Sequence, residues 1–125
     1  GHPTGRTAAL TELVDLYPTL AELCALPAPE TDGVSFAAML RDPASPHRET
    51  AMSSYPRAGA RGWSIRTADA RYTEWRDLKT GELRATELYD HRIDPEENVN
   101  RASEAGREEE VEALSAMLAA RRRGE

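Results

Sequence analysis

A proline at position 18, inside a leucine-rich stretch, limits where the first helix of this chain can begin. A proline within a helix costs about 3 kcal/mol but is tolerated in the first turn, where its missing N–H has no intrahelical partner. The helix is therefore predicted to begin near Asp15, a natural N-cap, and to end at Pro27 and Pro29. Residues 9–14 are predicted to form a short strand or an extended lead-in. Three apolar side chains then share one helical face: Leu16, Leu20 and Leu23.

The pattern changes from helical to strand-like near Thr50. Before it, residues 33–40 predict a turn followed by one or two helical turns capped by Ser35. After it, alternation with period two and β-favouring residues indicate strands, with a tight connection at 68–70 and a turn at 79–82. The predicted strands cover residues 51–55, 62–67, 71–76 and 85–90. These segments predict an antiparallel sheet of three or four strands.

The C-terminal third returns to helical patterning. Asp94-Pro95 has the chemistry of a helix start, with a capping carboxylate and a proline in the first turn. A final helix is predicted from about Glu104 to Arg122, with acidic residues at its start and Arg121 to Arg123 at its end, as the helix dipole favours. Its buried stripe is predicted to be Val111, Leu114, Met117 and Leu118. The order of elements predicts an α+β fold with helices on one face of a small sheet.

Composition excludes several classes of protein. A chain of 125 residues supports one domain or one piece of a larger protein. The formal net charge of −6 argues against a nucleic-acid partner, and no apolar run reaches the roughly 20 residues needed to cross a membrane. A single cysteine excludes an internal disulfide. The first residue is Gly1, and no signal peptide is visible, so we expect the chain to start partway through a longer gene product, with processing or a cloning remnant as alternatives.

Five blocks of the sequence resemble the end of the sulfatase family. "VDLYPTLAEL" at 14–23 and Leu26-Pro27 with "DGVSF" at 32–36 resemble a strand-to-helix signature and the loop after it. "SYPR" at 54–57, with "GWSIRT" at 62–67 and "RYTEW" at 71–75, resembles a block of the iduronate-2-sulfatase-like branch. "ELYD" at 87–90 and "DPEENVN" at 94–100 resemble the close of the small C-terminal subdomain.

The resemblance implies an architecture and a reaction. It implies the alkaline-phosphatase-like architecture, with 1–49 as the end of the large sulfatase domain and 50–125 as the C-terminal subdomain. It implies hydrolysis of a sulfate ester, often on a sugar, by a formylglycine made from Cys or Ser in Cys/Ser-x-Pro-x-Arg, aided by calcium and by Lys and His residues. It places all of these upstream, in the N-terminal catalytic part, which becomes this chain's partner. Relatives are often periplasmic, secreted or lysosomal, so the compartment stays open.

No catalytic nucleophile of that kind occurs in the chain. Cys24 stands one residue too far from Pro27, and Ala44-Ser45-Pro46-His47-Arg48 has alanine at the nucleophile position. Ser54-Tyr55-Pro56-Arg57-Ala58 lacks the final arginine. The chain is therefore predicted to be inactive alone, and an independent small hydrolase is the least favoured hypothesis. Cys24 itself is interpreted as a small core residue rather than a nucleophile.

Several polar and aromatic residues are compatible with either a binding site or a structural role. Asp90-His91 could bind a cation, but a structural role at a strand exit is favoured, and the three histidines, His2, His47 and His91, lack metal-ligand spacing. No metal or cofactor is predicted for this chain. Aromatic rings and guanidinium groups suit a sulfated sugar, so four residues are candidates for substrate contact: Tyr55, Arg57, Trp63 and Arg66. The alternative is that the aromatic residues pack across strands and that Arg66 pairs with a local acid.

Two hypotheses follow for the chain as a whole. The first is a C-terminal sulfatase fragment with a structural role and a position at the rim of the substrate pocket. The second is a free-standing interaction module that binds a partner, or a second copy of itself, through the Leu16, Leu20 and Leu23 face. In both, that face is predicted to be an exposed apolar patch, because the resemblance places it against a large domain that the chain lacks.

Overall fold

The computed structural model describes residues 5–27 and 30–122, which divide into two compact units, Gly1–Ala51 and Met52–Glu125. The predictions that involve His2, Pro29 and Arg123 fall outside the described residues. Assignment of residues 1–49 and 50–125 to two parts of a sulfatase stays a prediction. Within the described ranges, none of the helices combines the length and apolar character needed to span a membrane.

The first unit contains a 3₁₀ helix, Leu13–Asp15, followed directly by α1, Leu16–Leu23, and later by α2, Ala37–Arg41. Pro18 lies in the first turn of α1, as predicted. The extended lead-in ends sooner than predicted, because the N–H of Asp15 donates to the carbonyl of Glu12 (3.1 Å) and closes the 3₁₀ turn. An isolated antiparallel bridge joins Leu10 to Arg48.

Asp15 is the centre of a buried hydrogen-bond cluster and not the side-chain cap predicted for α1. Its carboxylate accepts the backbone N–H groups of Glu12 and Val34, each at 2.8 Å. The Arg48 guanidinium binds both carboxylate oxygens, and Nε2 of His47 lies 3.3 Å from Oδ2. Burial by itself raises the pKa of Asp15, but the hydrogen bonds from Arg48 and the two N–H groups outweigh it and hold the pKa well below its usual range. The carboxylate thus joins three segments of the unit.

Helix α1 buries its small and polar side and exposes its leucines. Thr19 and Ala21 are buried, and Thr19 Oγ1 donates to the carbonyl of Asp15 (2.6 Å) while it accepts the N–H of Phe36 (3.0 Å). By contrast, the predicted leucine face is open: Leu16, Leu20 and Leu23 are 47, 59 and 50% exposed. The predicted exposed apolar patch is therefore confirmed.

The second unit is a four-stranded antiparallel sheet with one long helix, so the predicted α+β fold is confirmed. The strands lie in the order β1-β2-β3-β4, and α3, Glu108–Arg122, follows them. Their bounds are β1 Ala51–Arg57, β2 Ala60–Arg66, β3 Ala70–Asp77 and β4 Leu83–Asp90. Ala58 and Gly59 both have positive φ, 31° and 80°, which is the geometry of a two-residue hairpin turn between β1 and β2.

One face of this sheet packs against α3. Ile65, Tyr72 and Leu88 are buried there with Leu114 and Leu118 of the helix, and Val111 packs against them partly buried. Met117 is 47% exposed, so the prediction that it is buried was wrong. At roughly 100° per residue, Met117 lies about 95° from the centre of the stripe formed by Val111, Leu114 and Leu118.

The segment between β4 and α3 contains turns where a helix start was predicted. Asp94 accepts the N–H of Val99 (2.8 Å) and the amide of Asn98 (3.1 Å), which closes a turn instead of capping a helix. Glu97 has φ +57° and Gly106 has φ +87°, and such left-handed positions interrupt a right-handed helix. For this reason α3 begins at Glu108, four residues later than predicted.

Candidate functional site

The four residues predicted to contact substrate lie on both faces of the sheet. Strand pairing places Trp63 opposite Glu74, on the face that packs against α3. Arg66 lies three positions further along β2 and therefore on the other face, opposite Arg71. We call this other face the second face of the sheet. The structure therefore does not bring Trp63 and Arg66 together.

Trp63 lies on the sheet face that packs against α3. It packs partly buried against the core, and two guanidinium groups lie over its ring, those of Arg61 at 5.5 Å and of Arg122 at 5.0 Å from the ring centroid. With arginines at these distances and a core contact, Trp63 has the surroundings of a packing residue. Its contact with substrate stays a prediction.

Tyr55 and Arg57 both lie on β1, which continues two residues past the predicted strand end at residue 55. β1 is an edge strand, which explains why Pro56 is tolerated between them. Arg57 lies over the ring of Trp75, 5.9 Å from its centroid, so Arg57 and Tyr55, two positions before it, share the second face. Tyr55 is 67% exposed. Trp75 is an additional residue of this face that was not among the four predicted candidates.

Trp75 is fixed in place across the second face. Its six-membered ring lies against Gly62 of β2, where an added Cβ would come within 3.0–3.1 Å of three ring carbons. Its Nε1–H donates to Oε1 of Glu87 on β4 (2.9 Å). The indole therefore spans three strands, with the carboxylate at its β4 end and Arg57 coming from the β1 side. Glu87 also accepts the hydroxyl of Tyr89 (3.4 Å), and burial and this carboxylate raise the pKa of Tyr89.

Arg66 belongs to a polar cluster at the opposite end of the strands. Its Nη1 contacts the imidazole of His91, which donates from Nε2 to Oε1 of Glu97 (2.6 Å). Arg71 Nε donates to the same Glu97 oxygen at 2.7 Å, while Arg66 is 4.0 Å from it.

This cluster ties the β2–β3 hairpin to the turn segment after β4. Burial by itself would raise the pKa of Glu97. The hydrogen bonds from Arg71 and His91 together outweigh burial, so the pKa lies below its ordinary value. Burial, and then the neighbouring Arg71, lower the pKa of Arg66. Arg66 thus has internal partners, as the alternative to substrate contact requires.

Asp90 and His91 do not converge on a metal site. Asp90 is buried and binds Arg92 (2.6 and 2.8 Å) and Arg107 (3.1 Å), whereas His91 turns to Arg66 and Glu97. The hydrogen bonds from Arg92 hold the pKa of Asp90 well below its usual range against the effect of burial. Across the described ranges, no three His, Cys, Asp or Glu side chains form a group able to hold a metal ion.

A groove between α3 and β3 is lined by buried polar groups. Glu74 accepts the hydroxyl of Ser115 (2.6 Å) and of Tyr72 (3.3 Å), and Arg76 binds its second oxygen at 2.8 Å. These partners lower the pKa of Glu74 despite burial, which acts in the opposite direction and is the largest single effect. Both carboxylate oxygens of Glu74 therefore have partners, and these hydrogen bonds connect the helix to the sheet.

Cys24 is exposed at the end of α1. The interpretation of Cys24 as a core residue was wrong, because the leucine-rich side of α1 on which it was placed faces outwards.

Comparison with known proteins gives structural neighbours only. No protein-family model matches the chain, and no curated protein matches it at a significant level. A protein assigned as a sulfatase from Bacteroides thetaiotaomicron matches with a TM-score of 0.70 and 27% identity over 83% of this chain and 23% of its own. BT4656, solved in complex with its substrate D-glucosamine-2-N,6-O-disulfate, matches with a TM-score of 0.70 and 25% identity over 87% of this chain and 23% of its own.

A third structure supports the fold alone. BT33494S-sulf, from a study of glycosaminoglycan metabolism by Bacteroides thetaiotaomicron, matches with a TM-score of 0.59 and 24% identity over 80% of this chain and 24% of its own. The chain thus spans about a quarter of the length of the solved structures that it matches. Its structural neighbours are sulfatases, and its four-stranded sheet with a C-terminal helix matches a sulfatase C-terminal subdomain.

Proposed function

We propose that this chain is the C-terminal part of a sulfatase that hydrolyses a sulfate ester of a sugar. The observation that carries the proposal is the structural match, which covers 83–87% of this chain but only 23% of each of two solved neighbours. The substrate class is supported by the sulfated sugar bound to one of those neighbours. The finer proposal of the iduronate-2-sulfatase-like branch is supported by the sequence blocks at 54–57, 62–67 and 71–75.

The proposed role of this chain is structural, without turnover of its own. None of its 125 residues stands in a Cys/Ser-x-Pro-x-Arg sequence, which the formylglycine requires. The described residues also offer no cluster that fits calcium. In the proposal both groups belong to the N-terminal catalytic part of the longer protein, where they supply the nucleophile and the neutralising charge.

A second part of the proposal places this unit at the rim of the substrate pocket. Tyr55 is well exposed, and the Arg57 guanidinium is not engaged by a carboxylate among the described residues, so both are accessible to an anionic sugar. A guanidinium can donate two parallel hydrogen bonds to a sulfate, and an aromatic ring can lie against a sugar face.

The alternative is a free-standing interaction module. The observation in its favour is the exposed leucine face of α1, since large contiguous apolar patches commonly mark interaction sites. This alternative requires a start codon just ahead of Gly1 and a stable oligomer. The sulfatase proposal requires neither.

The coding DNA upstream of the Gly1 codon tests the proposal directly. An in-frame Cys/Ser-x-Pro-x-Arg sequence, followed by enough residues to supply the remaining three-quarters of a sulfatase, is the expected result. A start codon immediately before Gly1, with no such sequence upstream, would contradict the proposal and favour the interaction module.

A further inference from the structure

Each face of the sheet has a tryptophan whose ring is approached by arginine guanidinium groups. On the α3 face, Trp63 carries arginines at 5.5 and 5.0 Å from its ring centroid and packs against the core. On the second face, Trp75 carries one arginine, Arg57, at 5.9 Å. Similar chemistry therefore occurs on both faces, with a core contact for only one of the two rings.

In the pair formed by Arg57 and Trp75, Arg57 is the residue that can bind a ligand. It is exposed at the end of β1, and within the part of the chain that the structure describes its guanidinium has no carboxylate partner. The contact with the indole restricts the side chain without using its N–H donors, because the ring attracts the cation through its face. A guanidinium held in this way keeps its paired donors for an oxyanion and loses less conformational freedom on binding.

The carboxylate of Glu87 is kept away from Arg57. Glu87 binds the Nε1–H of Trp75 at the β4 end of the indole, while the six-membered ring lies over Gly62 of β2, next to β1. The carboxylate and the guanidinium therefore stand at opposite ends of the same ring system. Glu87 acts as a support for Trp75 and does not neutralise Arg57.

Tyr55 completes the surface. It lies two positions before Arg57 on the same strand and face, and its 67% exposure leaves the ring open. An open ring beside an arginine with unused donors suits a ligand that has both a flat apolar face and an anionic group. A sulfated sugar has both, whereas a free inorganic anion has only the second.

We propose that Tyr55, Arg57 and Trp75 form a binding surface for a sulfated sugar, in which Arg57 binds the sulfate and Trp75 is the positioning residue that holds Arg57. This proposal explains why the indole is fixed in place: Glu87 and Gly62 position Trp75, and Trp75 positions Arg57. The choice of a sulfated sugar as ligand rests on the proposed sulfatase function.

The test is a titration of the ¹⁵N-labelled 125-residue chain with D-glucosamine-2-N,6-O-disulfate, followed by NMR. The chain has two tryptophans, so its two indole N–H signals separate the two faces and can be assigned with a Trp63→Phe variant. The expected result is a saturable shift of the Trp75 signal, with the Trp63 signal little changed. Glucosamine without sulfate and sodium sulfate at equal ionic strength should each bind at least about tenfold more weakly, because each lacks one of the two contacts.

Matched variants decide whether Arg57 is the cause. Arg57→Ala should weaken binding about tenfold or more, whereas Arg61→Ala, which removes an arginine from the other tryptophan, should change it less than about twofold. Should Arg57→Ala disturb the spectrum as a whole, Arg57→Lys supplies the second measurement, since it keeps the charge and loses the paired donors. Trp75→Phe should retain part of the affinity that Trp75→Leu loses.

Three results would overturn the proposal: no saturable shift with the disulfated sugar, equal binding of sodium sulfate, or equal losses in Arg57→Ala and Arg61→Ala. Each of these leaves the upstream coding sequence unaffected. Failure of the binding surface is therefore distinguishable from failure of the proposed sulfatase function.

Discussion

Replacement of Arg48 by alanine should remove much of the stability of the Gly1–Ala51 unit. Arg48 Nε lies 3.1 and 3.0 Å from the two carboxylate oxygens of Asp15, and Nη2 lies 2.5 Å from Oδ1. The Asp15 side chain is fully buried and that of Arg48 is 12% exposed. Removing one partner of a buried ion pair typically costs about 3–5 kcal/mol, because the remaining charge has lost its compensation.

The expected loss lies near the lower end of that range, about 3 kcal/mol, since two backbone N–H groups still reach the carboxylate after the substitution. A unit of this size has a total stability of roughly 3–8 kcal/mol, at about 0.05–0.15 kcal/mol per residue. The substitution should therefore populate the unfolded form of this unit measurably. The pKa of Asp15 is lowered in the folded unit, so its contribution is complete above the unfolded-state value of about 3.9 and declines only as the pH falls below it.

Amide hydrogen exchange at Val34 and Phe36 measures this loss, because both N–H groups donate to side chains at the Asp15 and Thr19 positions. Tryptophan fluorescence does not, since both tryptophans lie in the other unit. The control is Arg41→Ala, which breaks an exposed ion pair with Glu22 and should cost much less stability. A loss for Arg48→Ala no larger than for Arg41→Ala would refute the reasoning.

Four further outcomes are expected. Leu118→Ala should destabilise the sheet unit by about 2–5 kcal/mol in urea melts followed by tryptophan fluorescence, whereas Met117→Ala should cost less than about 1 kcal/mol, because only Leu118 is fully buried. Leu20→Lys should lower binding of an apolar dye to the chain, because Leu20 is 59% exposed; unchanged binding would count against an apolar patch on α1. Since the pKa of Asp90 is lowered on folding, the unfolding free energy of the sheet unit should fall as the pH drops below the unfolded-state value of about 3.9, and Asp90→Asn should reduce that fall. Gly62→Ala should shift the indole N–H signal of Trp75, because the added methyl would meet the ring at about 3 Å; an unmoved signal would argue against the packing described.

The secondary structure of the sheet unit was predictable because its signals are local. Period-two alternation located the strands. In the other unit, Pro18 located the start of α1 in the same local way. The turns after β4 were not predicted, since Asp94-Pro95 is equally compatible with a helix start. The left-handed Glu97 that decides between them has no distinctive residue type.

The candidate site was predicted less well than the fold. Trp63 and Arg66 are three positions apart, so the alternation of a strand already places them on opposite faces, and grouping them disregarded that period. The partner of Asp15, Arg48, lies 33 residues away, and only the folded chain brings them together. Trp75 of β3 faces Gly62 on the adjacent strand β2, which the pattern of either strand alone does not reveal.

Steady-state hydrolysis of a chromogenic aryl sulfate, with calcium present, tests the central claim most directly. The assay compares the isolated 125-residue chain with the protein made from the complete reading frame that contains it. The account predicts turnover by the longer protein and none by the isolated chain. Sustained turnover by the isolated chain, with contaminating enzyme excluded, would contradict it.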